Sequence, residues 1–138
     1  MKKVMKKVII MLAVTIPFGI SAKVDFKKDI KPLLESRCVS CHSAPYESRG
    51  RLRKPKGGYR MDTKENLLKA GDSEEVPVVE GDAEKSYLYK LVNLPEDDDD
   101  IMPAKGDAFT TEQKKLIKDW INEGVTWDKG ITLVRPAK

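Results

Sequence analysis

Histidine and cysteine are scarce in this sequence. Among its 138 residues there are one histidine, His42, and two cysteines, Cys38 and Cys41. Three such side chains fall short of the four Cys or His ligands that a structural zinc site usually takes. Aromatic residues make up only 7% of the chain, and a small domain with few aromatics often needs a cofactor or a covalent staple to complete its core.

Net charge is also lacking once the first 22 residues are set aside. The chain has 26 Lys and Arg against 22 Asp and Glu, but four of the lysines lie at positions 2, 3, 6 and 7. Residues 23–138 therefore carry 22 basic and 22 acidic side chains. This balance gives no support to nucleic-acid binding or to a cationic membrane-surface protein, and the length predicts one domain.

Residues 1–22 have the three parts of a secretory signal peptide. Lysines open the segment, Val8–Ile20 is an uncharged apolar run, and Ser21-Ala22 ends it with small side chains. We expect cleavage after Ala22, export most simply to a bacterial periplasm, and a mature domain over residues 23–138. The alternative is an uncleaved membrane anchor, but a span needs about 20 apolar residues, and a proline and a glycine interrupt the end of this run.

The two cysteines and the histidine all fall within five residues. The segment Cys38-Val39-Ser40-Cys41-His42 has the C-x-x-C-H spacing of c-type haem attachment. Two thiols on one helical turn can reach the two vinyl groups on one edge of the porphyrin, and the next residue places an imidazole under the iron. We therefore expect Cys38 and Cys41 to hold one haem covalently and His42 to be its proximal ligand.

Three other interpretations of the cysteine pair have less support. A disulfide between Cys38 and Cys41 would close so short a loop that it would restrain the chain little. A thioredoxin-like redox pair needs a preceding strand, whereas the residues before Cys38 have helical periodicity. A zinc site would need more ligands than the cysteines and His42 supply.

The sixth iron ligand follows by elimination. His42 is the only histidine, and three of the five methionines lie in residues 1–22, so Met61 and Met102 remain. Met102 lies in a loop bracketed by prolines, which can hold a thioether rigidly against the iron. Met61 has the position of an apolar core residue before the next helix. We expect Met102 to be the distal ligand, which fills the coordination shell and favours electron transfer over oxygen or peroxide chemistry.

Apolar periodicity and capping residues predict several helices. The first covers residues 24–37, with Asp25 as its N-cap and a kink or restart caused by Pro32. The next two are expected over residues 62–70 and 82–92. The last is the best defined: a capping box of Thr110 with Gln113 begins it, and Gly124 ends it.

Two segments are strongly charged. Residues 43–58 are expected to form a loop with five basic side chains and one acid, and residues 96–100 are five consecutive acids. A solvated loop is the simple interpretation of the acidic run. The alternative is that the two segments together orient the molecule toward a redox partner, which would affect association rate more than affinity. A calcium site has less support, because the run lacks the alternate spacing and glycine of calcium loops.

Four segments carry a resemblance to a known family. The stretches 57–62 (GGYRMD), 81–88 (GDAEKSYL), 101–103 (IMP) and 120–124 (WINEG) resemble the planctomycete-type cytochrome c domain. The resemblance extends over about residues 25–128. The chain departs from the family pattern at Tyr59 and Met61, where leucines are usual.

The resemblance implies an all-α, class I cytochrome c-like fold, in which the N- and C-terminal helices cross and loops and short helices wrap around one haem. Cys38 and Cys41 would hold the haem, His42 and Met102 would ligate the iron, and Arg60 would lie near the haem propionates. The expected protein transfers single electrons between redox partner proteins and is not an enzyme on its own. The alternative is a haem domain with a labile Met102 that binds small ligands or reduces peroxide.

Overall fold

The structure is a computed structural model and describes residues 23–137, so the expected signal peptide lies outside the described residues. The helical elements are a π-helical turn at Phe26–Ile30, α1 at Lys31–Arg37, a 3₁₀ turn at Lys56–Gly58, α2 at Lys64–Leu67, α3 at Tyr87–Val92 and α4 at Thr111–Asn122. Two strands, β1 at Tyr46–Ser48 and β2 at Arg51–Arg53, pair as an antiparallel hairpin. Of the helices in this part of the chain, none has the length and apolar character needed to cross a bilayer.

The first predicted helix is confirmed together with its cap and its restart. The Asp25 carboxylate accepts a hydrogen bond from the Lys28 backbone N–H at 2.9 Å. The π-helical turn gives way to α1 after Ile30, with Pro32 in the first turn of α1. A proline is tolerated there because the first N–H groups of a helix have no partner within the helix. Phe26 and Ile30 are buried by this arrangement.

The C-terminal helix α4 confirms the predicted capping box. The Thr110 hydroxyl accepts from the Gln113 backbone N–H at 3.2 Å, and the Gln113 side chain accepts from the Thr110 N–H at 3.0 Å. Trp120 is fully buried, and its indole N–H donates to the Thr126 carbonyl at 2.9 Å. This satisfied donor explains how so large a polar-tipped side chain can lie in the core.

The two middle helices are shorter than predicted, because side chains near their N-termini hold turns there and the Lys69 N–H, which donates to the Asn66 carbonyl, ends α2 in a tighter turn. In α2 the Thr63 hydroxyl is the cap, accepting from the Asn66 backbone N–H at 3.2 Å, so the helix spans only Lys64–Leu67. Before α3 the Ser86 hydroxyl donates to the Asp82 carbonyl at 2.8 Å. The chain from residue 82 to residue 86 is therefore a turn, and α3 begins at Tyr87.

The expectation of an all-α, class I cytochrome c-like fold is wrong. The structure is only 32% helical, its helices are short, and it contains the two-stranded sheet. The sheet lies within residues 43–58, which the sequence analysis assigned to a loop. The hairpin forms because Arg49 and Gly50 both have positive φ, 53° and 68°, which is the backbone of a tight turn whose twist matches that of paired strands.

The buried side chains form one apolar cluster that joins both ends of the described chain. Its members come from the π-helical turn, α1, the Cys38–His42 turn, α2, α3, α4 and the segment after α4. The π-helical turn packs against α4, and the Val24 backbone N–H donates to the Glu123 carboxylate at 2.9 Å. The first and last elements of the described chain are therefore in contact, and residues from the middle segments complete the apolar cluster.

The backbone at Gly57 and the backbone at Gly71 approach each other closely. The Asp72 backbone N–H donates to the Gly57 carbonyl at 2.8 Å. A Cβ atom on Gly71 would overlap the same carbonyl oxygen and lie 2.9 Å from the Tyr59 Cβ atom. Gly71 is therefore required for this close approach, because the Gly57 oxygen and the Tyr59 nitrogen are backbone atoms, and a Cβ atom is fixed to the backbone, so none of them can rotate away.

We expect Gly71→Ala to lower the free energy of unfolding by about 2 kcal/mol, the cost of overpacking a tight contact. Gly50→Asn is the matched control, since no atom lies within 4 Å of a Cβ at Gly50 and asparagine tolerates the left-handed backbone there. Urea unfolding of both variants beside the parent protein checks the expectation. Equal stability of the two variants would show that the approach at Gly71 relaxes without cost.

Candidate functional site

A cavity of about 530 Å³ lies beside the C-terminal end of α1. Its wall is mostly apolar, and Cys38, Cys41, His42 and Met102 all contribute to it. Small-molecule and cofactor sites span roughly 300–1,000 Å³ and are lined in the same way, with a few polar groups on an apolar surface. Four of the five site residues proposed from the sequence therefore face one space of cofactor size.

The two cysteines and the histidine lie on one tight turn at the end of α1. Cys38 continues the helix by donating its backbone N–H to the Leu34 carbonyl at 2.9 Å. The backbone N–H groups of Cys41 and His42 both donate to the Cys38 carbonyl, at 3.1 and 3.0 Å. Val39, within the turn, is fully buried. The turn is anchored in the core while its three functional side chains line the cavity.

The His42 ring is oriented by the segment that follows the 3₁₀ turn. Its Nδ1 atom lies 3.2 Å from the Tyr59 carbonyl oxygen. The Tyr59 hydroxyl in turn donates to the Leu67 carbonyl at 2.8 Å, which fixes the carbonyl-bearing residue against α2. Burial lowers the pKa of His42, so the imidazole is neutral near pH 7, the form that can bind a metal.

No disulfide joins Cys38 to Cys41 in the described part of the chain. Burial raises the pKa of the Cys38 thiol to about 12. A redox-active pair needs a cysteine of low pKa, and burial shifts the pKa of Cys38 in the opposite direction. Among residues 23–137, no group of three or more His, Cys, Asp or Glu side chains is arranged to hold a metal ion.

The two candidate methionines lie on different walls of the cavity. The Met61 backbone N–H donates to the His42 carbonyl at 2.8 Å, and Met61 is almost fully buried. The Met102 backbone N–H donates instead to the Leu91 carbonyl in α3 at 3.1 Å. Both side chains contribute to the lining, but Met61 is tied to the histidine wall and Met102 to the wall that follows α3.

Arg60, the fifth proposed site residue, is not among the residues that line this cavity in the described chain. Its guanidinium binds the Asp62 carboxylate in a two-pronged ion pair, with Nη2–Oδ2 at 2.6 Å and Nε–Oδ1 at 3.1 Å. The same carboxylate accepts from the Ala44 backbone N–H and the Asn66 side-chain amide. Arg60 thus supports the turn that follows His42, and its contact with a propionate stays a prediction.

The cations that do line the cavity are Arg37, Lys56 and Lys105, none of which the sequence analysis selected. Arg37 lies directly before Cys38; its guanidinium donates to the Asp107 carbonyl and lies 5.4 Å from the Phe109 ring centroid. Adjacency to the C-x-x-C-H motif was the one sequence signal that could have identified Arg37. Lys56 and Lys105 come from loops, whose positions local patterns do not predict.

A known protein family matches the part of the chain that contains this site. The family model described as planctomycete cytochrome C matches residues 38–106, half of the 138 residues. The matched range contains all five of the proposed site residues, from Cys38 to Met102. No curated protein and no solved structure matches the chain.

The buried Asp62 carboxylate gives a pH-dependent prediction. Burial by itself would raise its pKa, but the hydrogen bond and charge of Arg60 and the Ala44 N–H hold the pKa of Asp62 below its ordinary value. A carboxyl group with a lowered pKa stabilises the fold above its unfolded-state value of about 4 and loses that contribution as the pH falls through its folded-state value.

We therefore expect Asp62→Asn to lower the free energy of unfolding at pH 7 by about 2 kcal/mol, as for other hydrogen bonds to charged groups. The difference in the free energy of unfolding between the variant and the parent protein should become smaller as the pH falls below about 4. Urea unfolding at several pH values measures it, with exposed Asp99→Asn as the control. A gap that stayed constant down to pH 2 would contradict the ionised role of Asp62.

Proposed function

The chain belongs to the planctomycete cytochrome c family, and on that premise we propose that it is an exported electron carrier with one covalently bound haem. The family membership makes it a haem-binding cytochrome. The observation that carries the finer proposal is the convergence of Cys38, Cys41, His42 and Met102 on one apolar cavity. When bound, the haem supplies an iron that cycles between ferrous and ferric states.

The residues of the cavity fit such a group. Its volume of about 530 Å³ and its apolar wall suit a large, flat, mostly apolar cofactor. The thiols of Cys38 and Cys41 enter from one turn, which suits attachment along a single edge of the porphyrin. The domain is small, so filling this space also supplies apolar contacts that its own side chains leave unmade.

His42 is the proposed proximal ligand, and its surroundings assign the nitrogen that binds. Metal-binding histidines usually donate the N–H of their other ring nitrogen to a carbonyl or carboxylate. The Tyr59 carbonyl, 3.2 Å from Nδ1, takes that role here and leaves Nε2 for the iron. The same hydrogen bond holds the ring orientation and increases the electron-donating strength of the imidazole.

Met102 is the proposed distal ligand, and its attachment to α3 supports the choice. His42 and Met102 would hold the iron from two different segments of the cavity lining, and the pair would supply the imidazole and thioether ligation found in cytochromes c. Met61 is hydrogen-bonded to His42 through its backbone, whereas Met102 is anchored to α3 through Leu91. If His42 and Met102 both bound the iron, no coordination position would remain for oxygen or peroxide, which would favour electron transfer over catalysis at the metal.

The proposed location is the bacterial periplasm, with residues 1–22 removed. Haem of the c type is attached after export, so a leader that directs the chain across the membrane is consistent with a C-x-x-C-H motif. The expected partners are redox proteins that exchange electrons at the side of the cavity where Cys41 is half-exposed.

Covalent attachment is the first test. When the protein is produced with a c-type maturation system, we expect the red colour to stay with the polypeptide after extraction with acidified acetone. Cys38→Ala/Cys41→Ala should release its haem to the solvent, because both thioether bonds are lost. Ser40→Ala, within the same turn, is the control and should keep its haem. Haem that extracts freely from the parent protein would contradict the proposal.

The second test separates the two methionines. Met102→Leu and Met61→Leu each remove one thioether sulfur while nearly conserving volume, at a stability cost below about 1.5 kcal/mol. We expect only Met102→Leu to lose the weak red-edge absorption of the oxidised protein and to lower its reduction potential, because a thioether ligand raises the potential. The reverse result would move the distal ligand to Met61.

A further inference from the structure

The basic part of the hairpin is a surface patch held next to the cavity. Residues 49–56, here named the basic segment, contain five cations and no acid, and all five are exposed. At its end, the Lys56 backbone N–H donates to the Cys41 carbonyl at 2.9 Å. Within the hairpin, Arg53 pairs with Tyr46, and the Tyr46 ring packs under the Arg135 guanidinium, which lies 3.1 Å from the ring centroid. The patch therefore has a defined position relative to Cys41.

An acidic patch borders the same cavity. Residues 96–100, here named the acidic segment, are five consecutive carboxylates, of which four are exposed. The Asp98 backbone N–H donates to the Pro95 carbonyl at 3.1 Å, and the Ile101 N–H donates to the Asp98 carbonyl at 3.2 Å. These bonds hold the segment in a tight turn. Asp100 at its end lines the cavity, as does Lys56 at the end of the basic segment.

This arrangement restricts the charge of any partner that docks over the cavity. A uniformly acidic surface would be attracted by the basic segment and repelled by the acidic one, and a uniformly basic surface would meet the opposite conflict. A partner gains at both patches only when it carries charges of both signs in the complementary arrangement. Residues 23–138 have no net charge, so two copies of this chain approach without overall repulsion.

We propose that the cavity face is a self-complementary docking surface for a second copy of this chain. A two-fold axis through the cavity mouth places the basic segment of each copy against the acidic segment of the other, so that one contact is made twice. The interface is electrostatic and exposed, which makes the dimer transient and sensitive to salt. Resting on the proposed function, the docking brings two haem sites face to face and allows electron exchange between copies.

Sedimentation of the mature protein tests the docking directly. At about 0.01 M salt, where charges interact over roughly 30 Å, and at about 1 mM protein, where even a millimolar dissociation constant is visible, we expect a monomer–dimer equilibrium. Raising the salt to about 0.5 M should lower the association constant at least tenfold, because the charges are then screened. A protein that stays monomeric at low salt, or a dimer whose association constant does not change with salt, would overturn the proposal.

Charge reversal identifies the two patches. Arg51→Glu/Arg53→Glu/Lys54→Glu makes both patches acidic, and Glu96→Lys/Asp97→Lys/Asp99→Lys makes both patches basic. We expect each triple variant alone to be monomeric and an equimolar mixture of the two to form a heterodimer. A mixture that remains monomeric, with circular dichroism showing both variants folded, would contradict the assigned contact.

A control variant separates local contact from net charge. Lys23→Glu/Lys28→Glu/Lys129→Glu changes the net charge as much as the basic-segment variant, at exposed residues outside the cavity lining. Because both variants carry the same added negative charge, both lose some association to general repulsion, but the control should keep a clearly higher association constant than the basic-segment variant; an equal loss would show that net charge alone, and no specific surface, decides the association. The visible spectrum of the same samples reports haem separately, so loss of the docking and loss of the proposed function give different results.

Discussion

The hydrogen bonds between the Cys38–His42 turn and the segment ending at Met61 are the contacts on which the rest of the structure depends. The His42 carbonyl accepts a hydrogen bond from the Met61 backbone N–H, and the Nδ1 atom of the His42 ring lies near the Tyr59 carbonyl oxygen. These two links join the end of α1 to a part of the chain with almost no regular structure. Without them the cavity would have one wall formed by helices and no defined opposite wall.

The cavity also explains why so little of the chain is helical. A small domain that encloses a large cavity has few side chains left to pack one helix against another. Loops that are joined by backbone hydrogen bonds therefore form much of the wall of the cavity. Gly57 and Gly71, which approach each other closely, belong to this wall, and the buried Asp62 carboxylate holds the turn that follows His42 by accepting from the Ala44 N–H. A ligand that binds only the folded chain adds its binding free energy to the stability, and a cofactor that fills the cavity would do so here.

The features that the sequence predicted correctly are local ones. The Asp25 cap, the restart at Pro32 and the capping box at Thr110 each depend on residues within one turn of each other. The hairpin was missed because its strands are exposed and have no apolar alternation; only the positive φ of Gly50 and its neighbour explains it. Arg60 could not be placed either, since its nearest charged neighbour, Asp62, competes with any cofactor for the guanidinium.

The segment after α4 acts as a strap across three elements. The Leu133 N–H donates to the Asp62 carbonyl at 2.8 Å, the Val134 N–H donates to the Glu35 carboxylate of α1 at 3.0 Å, and Arg135 stacks on Tyr46 of the hairpin. Leu133, Val134 and Arg135 all lie beyond residues 38–106, the range that the family model matches. The range that carries the family signature is therefore smaller than the unit that folds. An excised fragment over residues 38–106 would keep Cys38, Cys41, His42 and Met102 but would lose the C-terminal segment that joins α1, the hairpin and the turn at Asp62.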